Sequence, residues 1–219
     1  MPPSFLAAVD LDDPPELPAI EPRLQGLLDD LDRRDGYAPG HSTNVCRLAV
    51  KIGRALGVDD AALSHLALGA LLHDIGKLFI DARVLAKPAY LSEIEWKAVR
   101  LHPVLGEALL GRDEHDAGVL AIVRWHHERW DGDGYPDGIS GASIPLGARI
   151  VAAADAYSAM CEPRPYRRSV ESDEAVEELE RTSWTHFDGA CVRALVESLN
   201  VTRRSSGRRR SSPSVRRTA

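Results

Sequence analysis

Apolar residues recur along most of this 219-residue chain at spacings of three and four, the period of an amphipathic helix. Leu24, Leu27, Leu28 and Leu31 predict a short helix over residues 23–31, broken by the turn between Gly36 and Gly40. From His41 a stronger stripe runs through Val45, Leu48, Ala49, Ile52, Ala55 and Leu56, and Gly57 suits its C-cap. Asp59 or Asp60 can cap a third helix, whose stripe of Leu63, Leu66, Ala70 and Leu71 leads into His73 and Asp74. Past Gly76 and Lys77 the pattern is irregular until Ser92 and Glu95, spaced as a capping box, start a helix toward Arg100. Pro103 suits the first turn of the next helix, which ends near Leu110 and Gly111. Val119, Leu120, Ile122 and Val123 carry a helix into His126 and His127, and a glycine-rich loop follows to about residue 147. Residues 148–160 are nearly all small and apolar except for Asp155, and 171–180 and 191–199 are amphipathic. Almost nothing alternates with the period of a strand, so the expected fold is all-α: a multi-helix bundle with irregular loops and disordered termini.

Composition changes this picture mainly at the ends. Residues 1–22 are rich in Pro, Asp and Glu and read as an acidic linker or lead-in, leaving 23–200 as one domain. Residues 201–219 hold seven arginines and no acid, and read as a disordered Arg/Ser-rich tail. The net charge is −6, so removing the tail's +7 leaves −13 on residues 1–202. An acidic body argues against a general nucleic-acid-binding domain and suits a protein that grips an anion through metals and a few placed arginines. No apolar run approaches the roughly 20 residues needed to span a bilayer, and the first residues lack the charge and hydropathy pattern of a secretory leader. Cys46, Cys161 and Cys191 are odd in number and form no CxxC pair, as expected of reduced core thiols in a cytoplasmic protein.

Candidate chemistry gathers at helix ends and centres: His41, His73, Asp74, His102, His126, His127 and Asp155. Imidazole and carboxylate ligands suit borderline first-row metals, and the absence of thiolate pairs disfavours a structural zinc site. A carboxylate can bridge two metals through its two oxygens, so Asp74 or Asp155 is the natural bridge. An acid within the apolar stretch before and after Asp155 would be costly to bury without a cation. Five imidazoles and two carboxylates suffice for two metals with a position left for water. His65, His115 and His186, by contrast, read as surface or capped residues.

The segment from Leu71 to Lys77, LLHDIGK, resembles the HD motif of the metal-dependent phosphohydrolases of the HD superfamily. His126 to Pro136, HHERWDGDGYP, is similar at every fixed position to the HHExxDGxGYP motif of the HD-GYP branch. The likeness runs from about residue 40 to 188 and takes in Arg100 to Pro103, Ile144 to Leu146, Asp155, and Arg164 to Arg167. It implies an all-α protein that hydrolyses cyclic di-GMP, a bacterial second messenger, to linear pGpG and sometimes to GMP. By motif, His41, His73, Asp74 and Asp155 would hold one divalent metal. Asp74 would bridge to a second, held also by His102, His126 and His127, with iron or manganese the usual occupants. Lys77 would stabilise phosphoryl charge or assist the leaving oxygen. Arg164 and Arg167 resemble a basic pair that grips phosphate or guanine, with Arg168 a solvated neighbour. Gly134, Tyr135 and Pro136 would shape the substrate site and can contact a protein partner, while Glu128 and Asp131 would hold the histidines or the loop.

Two departures matter. Some family members have a Glu, helping to hold a third metal, where this chain has Tyr37, a poor ligand, so two metals are expected. Residues 183–189 lack the family's usual glycine and final proline, which is expected to affect packing more than chemistry. The expected function is therefore a cytoplasmic cyclic di-GMP phosphodiesterase with a dinuclear site. The alternatives are a phosphohydrolase for another cyclic dinucleotide or a nucleotide, and a non-catalytic domain that binds a ligand or partner.

Overall fold

The structure is a computed structural model that describes residues 20–35, 40–111, 116–162 and 169–208, with side chains as far as Leu199. Its regular structure is helical, and among the described residues a single isolated bridge between Ser183 and Phe187 stands in place of any strand. The order is α1 (Pro22–Asp35), α2 (His41–Ala55), α3 (Asp60–Leu72), α4 (Ala82–Leu85), α5 (Glu93–Val99), α6 (His102–Leu110), α7 (Ala117–Trp125), α8 (Leu146–Cys161), α9 (Ser172–Arg181) and α10 (Gly189–Arg208). Short 3-10 turns occupy Ile75–Phe79 and Gly141–Ser143.

The predicted caps form. Asp59 accepts the Ala62 N–H at the start of α3, and Ser92 and Glu95 make a reciprocal capping box on α5. Pro103 sits in the first turn of α6. Helix boundaries differ where chain chemistry continues past the apolar stripe. α1 extends to Asp35, with Arg33 and Arg34 in a last turn that favours cations, and Arg34 donates to the Leu78 carbonyl at 2.6 Å. α10 continues to Arg208, so the boundary expected at residue 200 falls inside a helix.

α2 and α8 lie side by side at the centre, with α3 against α2, α7 against α3 and α8, and α10 closing the α2–α8 face. Burial follows the stripes: Val45, Ala49 and Ile52 of α2, Leu66 and Ala70 of α3, Val123 of α7, and Ile150, Val151 and Ala154 of α8 share one core. The small residues of α8 let its neighbours approach closely. α6 packs on the turn that follows α3, and there Gly76 is obligatory: a Cβ would stand 1.9 Å from the His102 carbonyl oxygen. This contact joins the two elements that carry His73, Asp74 and His102.

Cys46, Cys161 and Cys191 are buried free thiols, and burial pushes them up to about 12, 11 and 12 respectively. Among the described residues no helix is long and apolar enough to cross a membrane.

Candidate metal centre

The seven residues proposed as ligands converge on one interior point from five helices or the turns that follow them. His41 opens α2, His73 and Asp74 follow α3, His102 opens α6, His126 and His127 follow α7, and Asp155 lies midway along α8. Their donor atoms fall into two groups, each with atoms within 4.8 Å of one another: Asp74, His102, His126 and His127, and then His41, His73 and Asp155.

The backbone orients the imidazoles by one repeated device. His73, His102 and His126 direct Nδ1 to the carbonyl oxygens of Ala70, Val99 and Val123, three residues back, at 2.8, 2.8 and 2.9 Å. A carbonyl can only accept, so each Nδ1 carries the proton and each Nε2 lone pair faces the interior. His41 is held differently. Its Nδ1 lies 2.8 Å from Glu162 Oε2, while its Nε2 lies 3.1 Å from Asp155 Oδ1. Glu162, only 4% exposed, is itself fixed by Ser158 at 2.7 Å and Asn44 at 3.2 Å. The motif reading passed over Glu162. The available signal was an acid seven residues, two helical turns, beyond Asp155.

Asp74 touches both groups. Its Oδ2 is 2.6 Å from Lys77 Nζ and 3.3 Å from His73 Nε2, and its Oδ1 is 3.3 Å from His102 Nε2 and 4.0 Å from His126 Nε2. This arrangement favours Asp74 over Asp155 as the bridge. Asp155 is 19% exposed at its side chain, so it faces a cleft and is not sealed in the apolar core. His73 Nε2 and Asp74 Oδ1 are buried and make no hydrogen bond, a cost of about 1–3 kcal/mol for each such group. A cation at the centre of these donors removes that cost, so the residues fit divalent metal.

The titration of the two groups differs. Burial holds His102 down to about 4 and His127 to about 3, and it pushes His126 well below the ordinary value. Burial also opposes charge on His41, but hydrogen bonds to Asp155 and Glu162 outweigh it and lift His41 to about 10. His73 is raised for the same reason, its burial overcome by Asp74. Asp74 stays ionised despite its burial because Lys77, His73 and His102 surround it.

The loop after His127 builds a wall. Tyr135 stacks on His127 with centroids 4.8 Å apart, and the Arg100 guanidinium lies 4.5 Å from the Tyr135 ring centroid. Glu128 accepts from the backbone N–H groups of Asp137 at 2.7 Å and Gly138 at 3.0 Å, and Asp131 pairs with Arg129 and accepts from Asp133 N. Both acids therefore hold the loop and not the histidines. Gly134 crosses so close to Glu128 that a Cβ would stand 2.3 Å from the Arg129 nitrogen. Residues 183–189 take part as well: Trp130 N and Asp131 N donate to the carbonyls of His186 and Thr185 at 3.1 and 2.9 Å.

A cleft of about 350 Å³ opens on this centre, lined by His126, His127, Tyr135 and Asp155 with Trp96, Phe187 and His186. His186, read from sequence as a bystander, is part of that wall. His65 is half-buried beside Asp116 and away from the centre, in keeping with its reading as a surface or capped residue. Tyr37, His115, Arg164, Arg167 and Arg168 lie outside the described residues.

An all-α bundle that gathers five histidines and two aspartates around one interior cleft points to a class of protein, and the comparisons agree with it. The HD domain family matches residues 25–191, and the chain belongs to that family, in its HD-GYP branch. The chain is 37% identical over 171 residues to the 3'3'-cGAMP-specific phosphodiesterase 3 of Vibrio cholerae, covering 78% of this chain and 37% of that protein. It is 37% identical over 169 residues to the cyclic di-GMP phosphodiesterase response regulator RpfG of Xanthomonas campestris, covering 76% and 44%. The chain thus spans less than half the length of these curated relatives. Among solved structures, Bd1817, an HD-GYP-type protein of Bdellovibrio bacteriovorus, shares the fold with a TM-score of 0.62 at 23% identity, over 73% of this chain and 51% of that one.

Proposed function

We propose that this chain hydrolyses a phosphodiester bond of a cyclic dinucleotide, and that cyclic di-GMP, opened to linear pGpG, is its substrate. The observation that carries this reading is Asp74, whose two carboxylate oxygens face the two histidine groups within one cleft. His41, His73, Asp74 and Asp155 would hold one divalent ion, and Asp74, His102, His126 and His127 a second; iron or manganese suits these nitrogen and oxygen donors. Ions so held would supply Lewis-acid charge to the phosphoryl group and to the attacking water.

The chain's own groups do the remainder. Asp74 positions the Lys77 ammonium at the mouth of the centre, 20% exposed, where it can neutralise phosphoryl charge or protonate the leaving oxygen. Glu162 fixes the His41 ring, and stacked Tyr135 limits water around His127. Arg164 and Arg167 would grip phosphate or guanine, and the loop of Gly134, Tyr135 and Pro136 would shape the cleft and offer a protein partner an edge. The complete donor set together with Lys77 favours an enzyme over a ligand-binding domain.

A second substrate, 3'3'-cGAMP, is favoured by one observation: relatives at the same 37% identity carry either specificity in their names. Anaerobic purification, metal analysis and a panel of cyclic dinucleotides test both. Two ions per chain and release of pGpG are the expected result. A metal-loaded protein that leaves every cyclic dinucleotide intact overturns the reading, and selective cleavage of 3'3'-cGAMP replaces the substrate.

A further inference from the structure

Helix α5 is short but tightly held. Its N-terminus carries the capping box, Lys87 grips the same Glu95 at 2.6 Å, and its C-terminal end leads within three residues to His102. Trp96 and Arg100, four residues apart, share the face of α5 that looks toward the centre. Arg100 is engaged over the Tyr135 ring. Trp96 lines both the cleft over the metal centre and a neighbouring cleft of about 260 Å³ formed with Arg100, Arg129 and Gly134. The two clefts also share His127, Arg129 and Tyr135, so Trp96 stands where they meet.

The indole remains 49% exposed, and among the described residues no ring or cation covers it. The charged side chain beside it is committed: Arg129 is paired with Asp131. A flat, rigidly mounted aromatic surface next to a phosphodiester site matches the chemistry of a nucleobase, which offers a π-face whatever its hydrogen-bonding edge. We propose that Trp96 is the stacking platform for one purine base of the cyclic dinucleotide, while the scissile phosphate sits at the metal centre. The proposal rests on the reading of the chain as a cyclic-dinucleotide phosphodiesterase. Trp96 would then set affinity for the dinucleotide class, leaving the choice between guanine and adenine to groups at the base edge.

The test uses the metal-loaded chain and the hydrolysis-resistant bisphosphorothioate of cyclic di-GMP, with binding followed by calorimetry and by tryptophan fluorescence. Stacking is expected to quench indole emission. Trp96→Phe should abolish most of the quenching while binding stays within a few-fold, although three other tryptophans remain. Trp96→Ala should weaken binding about 5- to 150-fold with unchanged metal content, and with cyclic di-GMP as substrate KM should rise far more than kcat falls. Trp96→Ala binding as tightly as the parent chain, or quenching that survives in Trp96→Phe, overturns the stacking role alone. A parent chain that binds no cyclic dinucleotide overturns the underlying reading as well.

Discussion

At the scale of single residues, Asp74 and Glu162 do different work on the same cluster. Asp74 faces both donor groups, so Asp74→Asn is expected to lower metal content at both and to cut activity at least a hundredfold. Elemental analysis with two ions still bound would sink its role as the bridge. Glu162 reaches the centre only through His41 Nδ1. Partners of this kind typically contribute about 10- to 100-fold in metal affinity. Glu162→Ala should therefore weaken metal binding in that range, and Glu162→Asp should recover part of it. Equal affinity in all three proteins would assign Glu162 to packing alone.

The imidazoles also predict how metal uptake depends on pH. His41, at about 10 in the metal-free chain, carries a proton at neutral pH that a metal must displace, and His73 is raised in the same direction by Asp74. His102 and His127, held near 4 and 3, are already neutral there. Affinity at the His41 group should thus fall steeply as pH drops from 9 to 6, while affinity at the His102 group stays level. Calorimetry in buffers of different ionisation enthalpy should find proton release that His41→Ala reduces. Release of no protons at pH 7 would contradict this account.

At the scale of elements, the site depends on helices meeting at glycine contacts. The turn after α3 and the start of α6 meet through Gly76, where any Cβ would strike backbone atoms of His102 and Gly106. Backbone cannot rotate aside as a flexible side chain can. Gly76→Ala is expected to cost about 1–3 kcal/mol or more of stability and to separate Asp74 from His102. A denaturation midpoint and metal content both equal to the parent's would refute it. The capping box on α5 works in the same way at lower cost, by holding the segment that ends in His102.

For the whole molecule, five imidazoles and two carboxylates meet at the junction of α2, α3, α6, α7 and α8, and a metal held there would be a structural partner of the bundle. Ligand binding to the folded state alone adds about 2.7 kcal/mol at a hundredfold excess over Kd, roughly 5–10 °C in a domain of this size. Chelation is expected to lower the melting temperature by about that much, and iron or manganese to restore it. An unchanged melt after verified metal removal would mean the bundle tolerates the unpaired donors.

Most of the helices, several of their caps and the seven residues that gather at the centre could be read from the chain, although α4 and the full lengths of α1 and α10 could not. Apolar periodicity and capping are local properties, and a motif preserves which residues lie near one another in sequence. Three-dimensional packing decided the rest. It placed both oxygens of Asp74 between the two histidine groups, brought Glu162 behind His41, and turned Glu128 toward the loop. It also set His186 in the cleft wall and Trp96 at its rim. These contacts join segments up to 121 residues apart, such as His41 and Glu162, and no local pattern encodes which side of a helix will meet which neighbour.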